Sequence, residues 1–329
     1  MCNSPKTGGG VTTTLYPLGS DDNMPVLPQA VPLYSQPDPP RCQTDAVHAS
    51  PNGAALLLQY NCEDTLFARL LDLNNPDAVT LLNQGYFMNW SPDGAWLLFR
   101  DIETGQVWLI PVNGGEWQPL ELPAGTYDAA FAPDGQRVLY AATVGLGFGS
   151  EMGVLNLADG RLAPWQTFPD QLVAHAAWSP DGNVLAYVLL PDTSIPFVIG
   201  ELWLAEPASG RQLTLLAEVD AGHGYAPVWS PDSASLVYVH RENPDDIQAD
   251  LEPLALRSNL YQVDVYAGTV TPITQFEDSL VYDAVWSPDG LLAFTADDAI
   301  WMWTPGETAV PVSPPGIHRH PTWLSAPIP

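Results

Sequence analysis

Trp90-Ser91-Pro92-Asp93-Gly94 closes one short apolar segment and opens the next, and its recurrence decides the fold. The same pattern stands at Trp178-Ser179-Pro180-Asp181-Gly182 and Trp286-Ser287-Pro288-Asp289-Gly290. Variants are Phe131-Ala132-Pro133-Asp134-Gly135, Trp229-Ser230-Pro231-Asp232-Ser233 and the weaker Ala49-Ser50-Pro51-Asn52-Gly53. Their prolines, at 51, 92, 133, 180, 231 and 288, are 41, 41, 47, 51 and 57 residues apart. A period of 40 to 50 residues without helical patterning is that of a four-stranded propeller blade, here with growing insertions.

The chemistry of each piece fits a hairpin. Proline presets φ for the first turn position, aspartate can bond back to the backbone, and glycine supplies a positive φ. Apolar strands follow at 55–60, 95–100, 138–142, 184–189, 236–240 and 291–295, and alternating ones at 107–110, 202–204 and 300–303. A glycine turn and a short outer strand complete each unit, as at Gly268 and 270–274. Arg319-His320-Pro321-Thr322-Trp323 repeats the inner-strand pattern once more. The expectation is an all-β propeller of seven four-stranded blades, with six as the alternative. Residues 11–18 and 29–36 would lend outer strands to the last blade, so that strands from both chain ends close the ring and remove exposed edges.

The turn, the apolar strand after it and the glycine-closed hairpin resemble the repeat of the TolB-type propellers, over about residues 45 to 325. That family includes the periplasmic TolB protein and the propeller domains of prolyl oligopeptidase-like enzymes. The resemblance implies the fold far more than the function, because such propellers serve as binding platforms, as gating domains and sometimes as enzymes. TolB resembles a six-bladed propeller with an added N-terminal α/β domain. This chain is read as propeller over 11–329, so TolB's partnership with an envelope lipoprotein is not carried across.

Composition narrows the partners. The formal charge is −28, with Lys6 the only lysine beside nine arginines. Nucleic acid and anionic membrane surfaces demand a basic face and are excluded as partners. No stretch approaches the roughly 18 apolar residues that cross a bilayer as a helix. Residues 1–10, ending Gly8-Gly9-Gly10, read as a flexible tether. Met1-Cys2-Asn3-Ser4 resembles the mature end of a bacterial lipoprotein, with Cys2 carrying the lipid, although a chance cysteine gives the same letters. That reading places a monomer outside the cytoplasm, in the periplasm or on the cell surface, touching membrane only through that lipid. Cys42 and Cys62 then remain as an even pair, able to form a disulfide in an oxidising compartment.

Aligning the inner strands on their aromatic residue picks out a candidate site. Three positions before it stand Ala46, Phe87, Asp128, His175, Ala226, Asp283 and His320, which should share one level around the channel. Asp128 with His175, and Asp283 with His320, come from neighbouring repeats and form two expected Asp–His couples. One position earlier, Tyr127, Tyr282 and Arg319 add hydrogen-bonding groups and aromatic walls, with Tyr86 and Tyr225 in the same register. Such a mouth could hold a small ligand or, through imidazole and carboxylate, a divalent metal; the same residues also suit a wet channel lining. No cofactor is otherwise implied. A serine-hydrolase elbow is missing, since Gly147-Phe148-Gly149-Ser150-Glu151-Met152-Gly153 has the wrong spacing. The expected function is therefore a non-catalytic extracytoplasmic propeller that binds a protein, peptide or glycan through one face. The alternative is a metal-assisted hydrolase or lyase at the channel mouth. The acidic run 241–252 reads as a solvated hairpin; with 191–200 and 144–150 it could line the binding face.

Overall fold

Three of the four Ser-Pro-Asp turns are locked by the same device. The serine hydroxyl donates to the aspartate two residues on, at 2.6 Å for Ser91–Asp93, Ser179–Asp181 and Ser230–Asp232. The same oxygen accepts the amide that starts the next strand, as with Trp96, Val184 and Ser235. These bonds hold the Asp93, Asp181 and Asp232 carboxyls below their usual range, so the turns are built on carboxylates. Ser50 and Asn52 repeat the arrangement at 2.8 Å, which explains why the first copy tolerates asparagine. The last turn position needs a left-handed backbone, and Gly94 has φ +67°. A Cβ there would meet the Asn52 side chain at 2.5 Å, so glycine also permits neighbouring turns to touch.

The structure is a computed structural model and describes residues 12–15, 34–37, 42–63, 65–82, 84–313 and 317–324. Six four-stranded antiparallel sheets follow one another, over 42–81, 85–119, 126–168, 171–219, 228–272 and 281–311. We call them blades 1 to 6. Every blade is a simple meander whose first strand is the inner one. Hydrophobic clusters lie between blades rather than within them: Leu139 and Met152 of blade 3 pack with Tyr187 and Leu189 of blade 4. Leu57 and Leu70 of blade 1 likewise meet Leu97 and Phe99 of blade 2. Cys42 and Cys62 stand opposite each other on the first two strands and are joined by a disulfide. Closing that 20-residue separation contributes about 3 kcal/mol in the loop-entropy picture.

Six blades, not seven, is a correction, and its cause lies at the chain's two ends. The seventh inner-strand candidate falls in 317–324, which forms no strand. The strands expected near the N-terminus add to no blade, because Thr12–Leu15 pairs with Tyr34–Pro37 instead. The remainder of 11–18 and 29–36 lies outside the described residues. Residues 317–324 nevertheless keep the contacts of a repeat. Trp323 Nε1 donates to the Val285 carbonyl of blade 6 at 3.0 Å, while Thr322 Oγ1 accepts from the Ala49 amide of blade 1 at 3.2 Å. Leu324 joins the blade 1 cluster of Leu56, Leu58 and Tyr60. An inner-strand motif without a ladder partner has become the seam between the first and last blades.

Replacing Trp323 with alanine should therefore lower stability by about 2 kcal/mol, a half-buried fraction of a full core deletion. Urea unfolding measures this, and an unchanged midpoint would show that the ring does not depend on the seam.

Candidate functional site

The inner strands carry a shared irregularity that positions the channel side chains. Register shifts fall between Thr44 and Ala46, Phe87 and Asn89, Thr126 and Asp128, Ala174 and Ala177, and Tyr282 and Val285. Each inserts one extra residue shortly before the strand's closing residue, and a bulge of this kind re-aims a side chain. His175 and Asp283 both have φ 53°, and His320 has φ 59° although it lies outside any strand. Left-handed backbone at non-glycine residues costs on the order of 1 kcal/mol each, so the surrounding fold imposes it. Three of the seven aligned positions, His175, Asp283 and His320, thus share one backbone conformation, and Asp128 does not.

Of the two expected couples, one is a direct pair. His320 Nδ1 lies 2.7 Å from Asp283 Oδ2. Around it, burial pushes the Asp45 carboxyl upward, with His320 opposing and Asp283 reinforcing the shift. Burial raises the Tyr282 hydroxyl to about 12, and Arg319 pairs with Asp298. Burial, then the charge of His320, lowers His48 to about 4, leaving a neutral ring stacked on Phe87 at 4.3 Å.

The second couple is only a neighbourhood. Asp128 accepts the Ala176 amide at 3.3 Å, and its carboxyl is raised chiefly by burial, with His175 opposing. His175 Nε2 faces the Ala221 carbonyl of the connection into blade 5, at 3.3 Å. Tyr127 is a staple between blades: its hydroxyl donates to Val173 O at 2.7 Å, while Tyr86 donates to Tyr127 O at 2.9 Å. Of the four polar residues, only Asp283 and His320 bond to each other side chain to side chain. Among the described residues no three His, Cys, Asp or Glu side chains form a metal-holding group. The residues present therefore do not fit a metal centre at this mouth.

A buried cluster that the alignment did not find lies beside this mouth. Asp220 accepts from Arg241 Nε at 2.6 Å, and its other oxygen is 2.6 Å from His223 Nδ1. Arg241 also donates to Asp250 at 2.6 Å and to the Phe197 carbonyl at 2.8 Å. His223 stacks on Phe197 at 4.3 Å, and Tyr225 lies parallel beyond it. The available signal was Asp220-Ala221-Gly222-His223-Gly224, a spacing in a connection rather than in a strand. Gly222 lets the connection approach the neighbouring loop, since a Cβ there would meet Val198 N at 2.5 Å.

This cluster anchors the segment 241–252, which the sequence reads as a solvated hairpin. Arg241 is buried and ties the insertion down, and the chain turns through short 3-10 segments at Ile247–Asp250 and Pro253–Ala255. Eight residues of 241–252 are nonetheless exposed, among them the acidic Glu242, Asp245, Asp246 and Glu252. A second anchor holds the blade 3 loop. Asp192 accepts the Gly149 amide at 2.7 Å, and the amides of Gly147 and Phe148 also help depress its carboxyl. Phe197 N donates to Asp250 O at 3.2 Å, so the long loops of blades 3, 4 and 5 form one continuous surface.

The two faces of the ring differ. On the Ser-Pro-Asp side, short turns are stitched together, as where Asn52 Nδ2 donates to Asp93 O and Asp181 N to Ser233 Oγ. The loop side instead displays large apolar side chains. Val144 is 84% exposed, Phe148 71% and Leu254 75%, with Leu146, Ile195 and Ile247 also outside.

Arg241→Met should cost about 3–5 kcal/mol, because Asp220 would be left buried without its cation. A loss under about 1 kcal/mol in denaturant unfolding would show that His223 alone satisfies Asp220. The Asp192 anchor also has a defined pH sense. Its folded-state carboxyl titrates below the ordinary 3.8, so its contribution is complete above that value and disappears as pH falls through the lower folded value. Proteolysis of 144–149 should accelerate only below about pH 4 in wild type, but at neutral pH in Asp192→Ala. Equal rates for the two proteins at neutral pH would remove the anchor.

No protein-family model and no curated protein matches the sequence. Solved structures do match. Hydrazine synthase from Kuenenia stuttgartiensis is 16% identical, with 79% of this chain and 76% of that one covered, at a TM-score of 0.59. An oligogalacturonate lyase in complex with manganese is also 16% identical, covering 92% and 85%, at 0.59. TolB from Acinetobacter baumannii is 18% identical, covering 76% of this chain and 58% of its own, at 0.53. Likeness at these identities concerns architecture alone, and the architecture is a β-propeller like that of the TolB structure, built here from six four-stranded blades.

Proposed function

We propose that this chain is a non-catalytic binding propeller that works outside the cytoplasm and engages a protein or peptide through its loop-side face. The observation that carries the reading is the difference between the faces. One consists of tight, mutually bonded turns, and the other exposes apolar side chains from three interlocked loops. Water-exposed residues such as Phe148 and Leu254 cost solubility unless something covers them, and clustered exposure of this kind marks interaction surfaces. The Cys42–Cys62 disulfide suits an oxidising compartment. A lipid on Cys2, which lies outside the described residues, would supply the tether.

The alternative enzyme reading draws on one feature, the Asp283–His320 pair beside Asp45, where a proton acceptor stands near an acid raised by burial. Among the described residues no three His, Cys, Asp or Glu side chains gather beside that pair, whereas the exposed loop-side crest supports binding.

A photo-crosslinking residue introduced at Ile195 or Ile247 in the native organism should yield adducts, whereas one at Tyr266 on the turn side should not. Adducts only from Tyr266 would reverse the assignment of faces. In the same cells, His320→Ala should leave the adducts unchanged; their loss would move the site to the channel mouth. Mass spectrometry of the product of the full-length gene should find Cys2 lipidated, and an unmodified cysteine in the membrane fraction would remove the tether.

A further inference from the structure

The loop-side surface also specifies the chemistry of what it binds. The geometry points to a cationic amphipathic segment, an apolar stripe flanked by Lys or Arg, as its occupant. The inference rests on the face assignment above and adds the partner's character to it.

Two observations combine. The first is the apolar crest itself, with Val144 and Phe148 from blade 3, Ile195 from blade 4, and Ile247 and Leu254 from blade 5, all exposed. These loops are fixed relative to one another by the Gly149–Asp192 and Phe197–Asp250 bonds and by Arg241. A crest held in place needs little ordering on binding, which favours its use as a docking surface.

The second observation is the sign of the charge left over around the crest. The blade 3 loop over 144–149 carries no charged residue, and the blade 4 loop over 191–199 carries only Asp192. The blade 5 insertion holds two arginines, and both are consumed internally: Arg241 by Asp220 and Asp250, Arg257 by Asp278. Asp245 and Glu252 remain exposed at its tip, beside Ile247 and Leu254. Elsewhere, Arg137 and Arg211 belong to the turn side and pair with Asp134 and Glu206 there. An approaching partner therefore meets apolar surface rimmed by uncompensated negative charge. A cationic rim on that partner would be attracted and an anionic one repelled, setting both specificity and association rate. A bare apolar partner would leave the carboxylates facing poorly hydrated surface.

Three synthetic peptides of equal length test this by fluorescence anisotropy with the intact protein. One is a Leu/Lys helix with an apolar stripe, one replaces every Lys with Glu, and one keeps the lysines but substitutes Gly and Ser for Leu. The Leu/Lys peptide should bind at least about tenfold more tightly than either of the others. Phe148→Ser combined with Leu254→Ser should weaken it by about tenfold, and Asp245→Asn with Glu252→Gln by about threefold, with a shallower salt dependence. Both pairs of residues are exposed, and an unchanged melting temperature verifies folding; Tyr266→Ser on the opposite face should bind like wild type.

Equal binding of the Leu/Lys and Leu/Glu peptides would overturn the charge inference while leaving the face assignment intact. Binding that ignores the Phe148 and Leu254 substitutions would show diffuse attraction of cations, and no binding by any peptide would remove the inference. Association with phosphatidylcholine vesicles that the Phe148→Ser, Leu254→Ser protein loses, without peptide binding, would replace the proposed partner with a lipid surface. If the inference fails in any of these ways, crosslinking from Ile195 and Ile247 still decides the face reading independently.

Discussion

A four-stranded sheet that is apolar on both faces cannot bury either face alone. This constraint underlies the whole structure. Tyr187 and Leu189 of blade 4 pack toward blade 3, while Ala186 and Val188 of the same strand pack toward blade 5. Alternation along one strand thus supplies two different interfaces, and each blade is stable only between neighbours. The arrangement must close, and the last interface is completed by a segment that is not a strand. Trp323, Thr322 and Leu324 substitute for the contacts a paired inner strand would make.

Closure also determines the channel. With apolar positions committed to blade interfaces, the inner strands must direct their remaining side chains toward the axis. The repeated bulges do so by inserting one residue into each of five inner strands. The resulting mouth is polar and rich in hydroxyls, but its members are largely occupied with the ring itself. Tyr86 and Tyr127 bond to the backbone of the following blade, and His320 holds Asp283 across the seam. Much of the channel chemistry is therefore architectural.

The loop side has a different logic. Its connections are not required by the ring, and their lengths grow through blades 3 to 5. Buried charge does here what apolar packing does between blades. Arg241 gathers Asp220, Asp250 and the Phe197 carbonyl into one fixed point beneath the exposed crest. A hydrogen-bonded ion network of this kind is tolerable only because nearly every group finds a partner. Its return is orientation, since loops held to one another present the same surface to every encounter.

The repeat made the blade architecture legible because local chemistry suffices to define it. Serine, proline, aspartate and glycine specify a hairpin within a few residues, and strand alternation specifies two buried faces. Of the seven positions aligned on the inner-strand aromatic, His175, Asp283 and His320 share a left-handed backbone, whereas Ala46, Phe87, Asp128 and Ala226 do not. What sequence could not settle was pairing over long distances. Whether 319–323 becomes a seventh blade depends on partners hundreds of residues away, and residues 12–15 and 34–37 chose each other. Nor could periodicity reveal the Asp220–His223–Arg241 cluster, which joins irregular loops and obeys no repeat. Sequence by itself determined the blade and its turn, both governed by neighbours in the chain; tertiary structure alone decided six blades, the seam and the loop-side surface, because those rest on contacts that only closure of the ring creates.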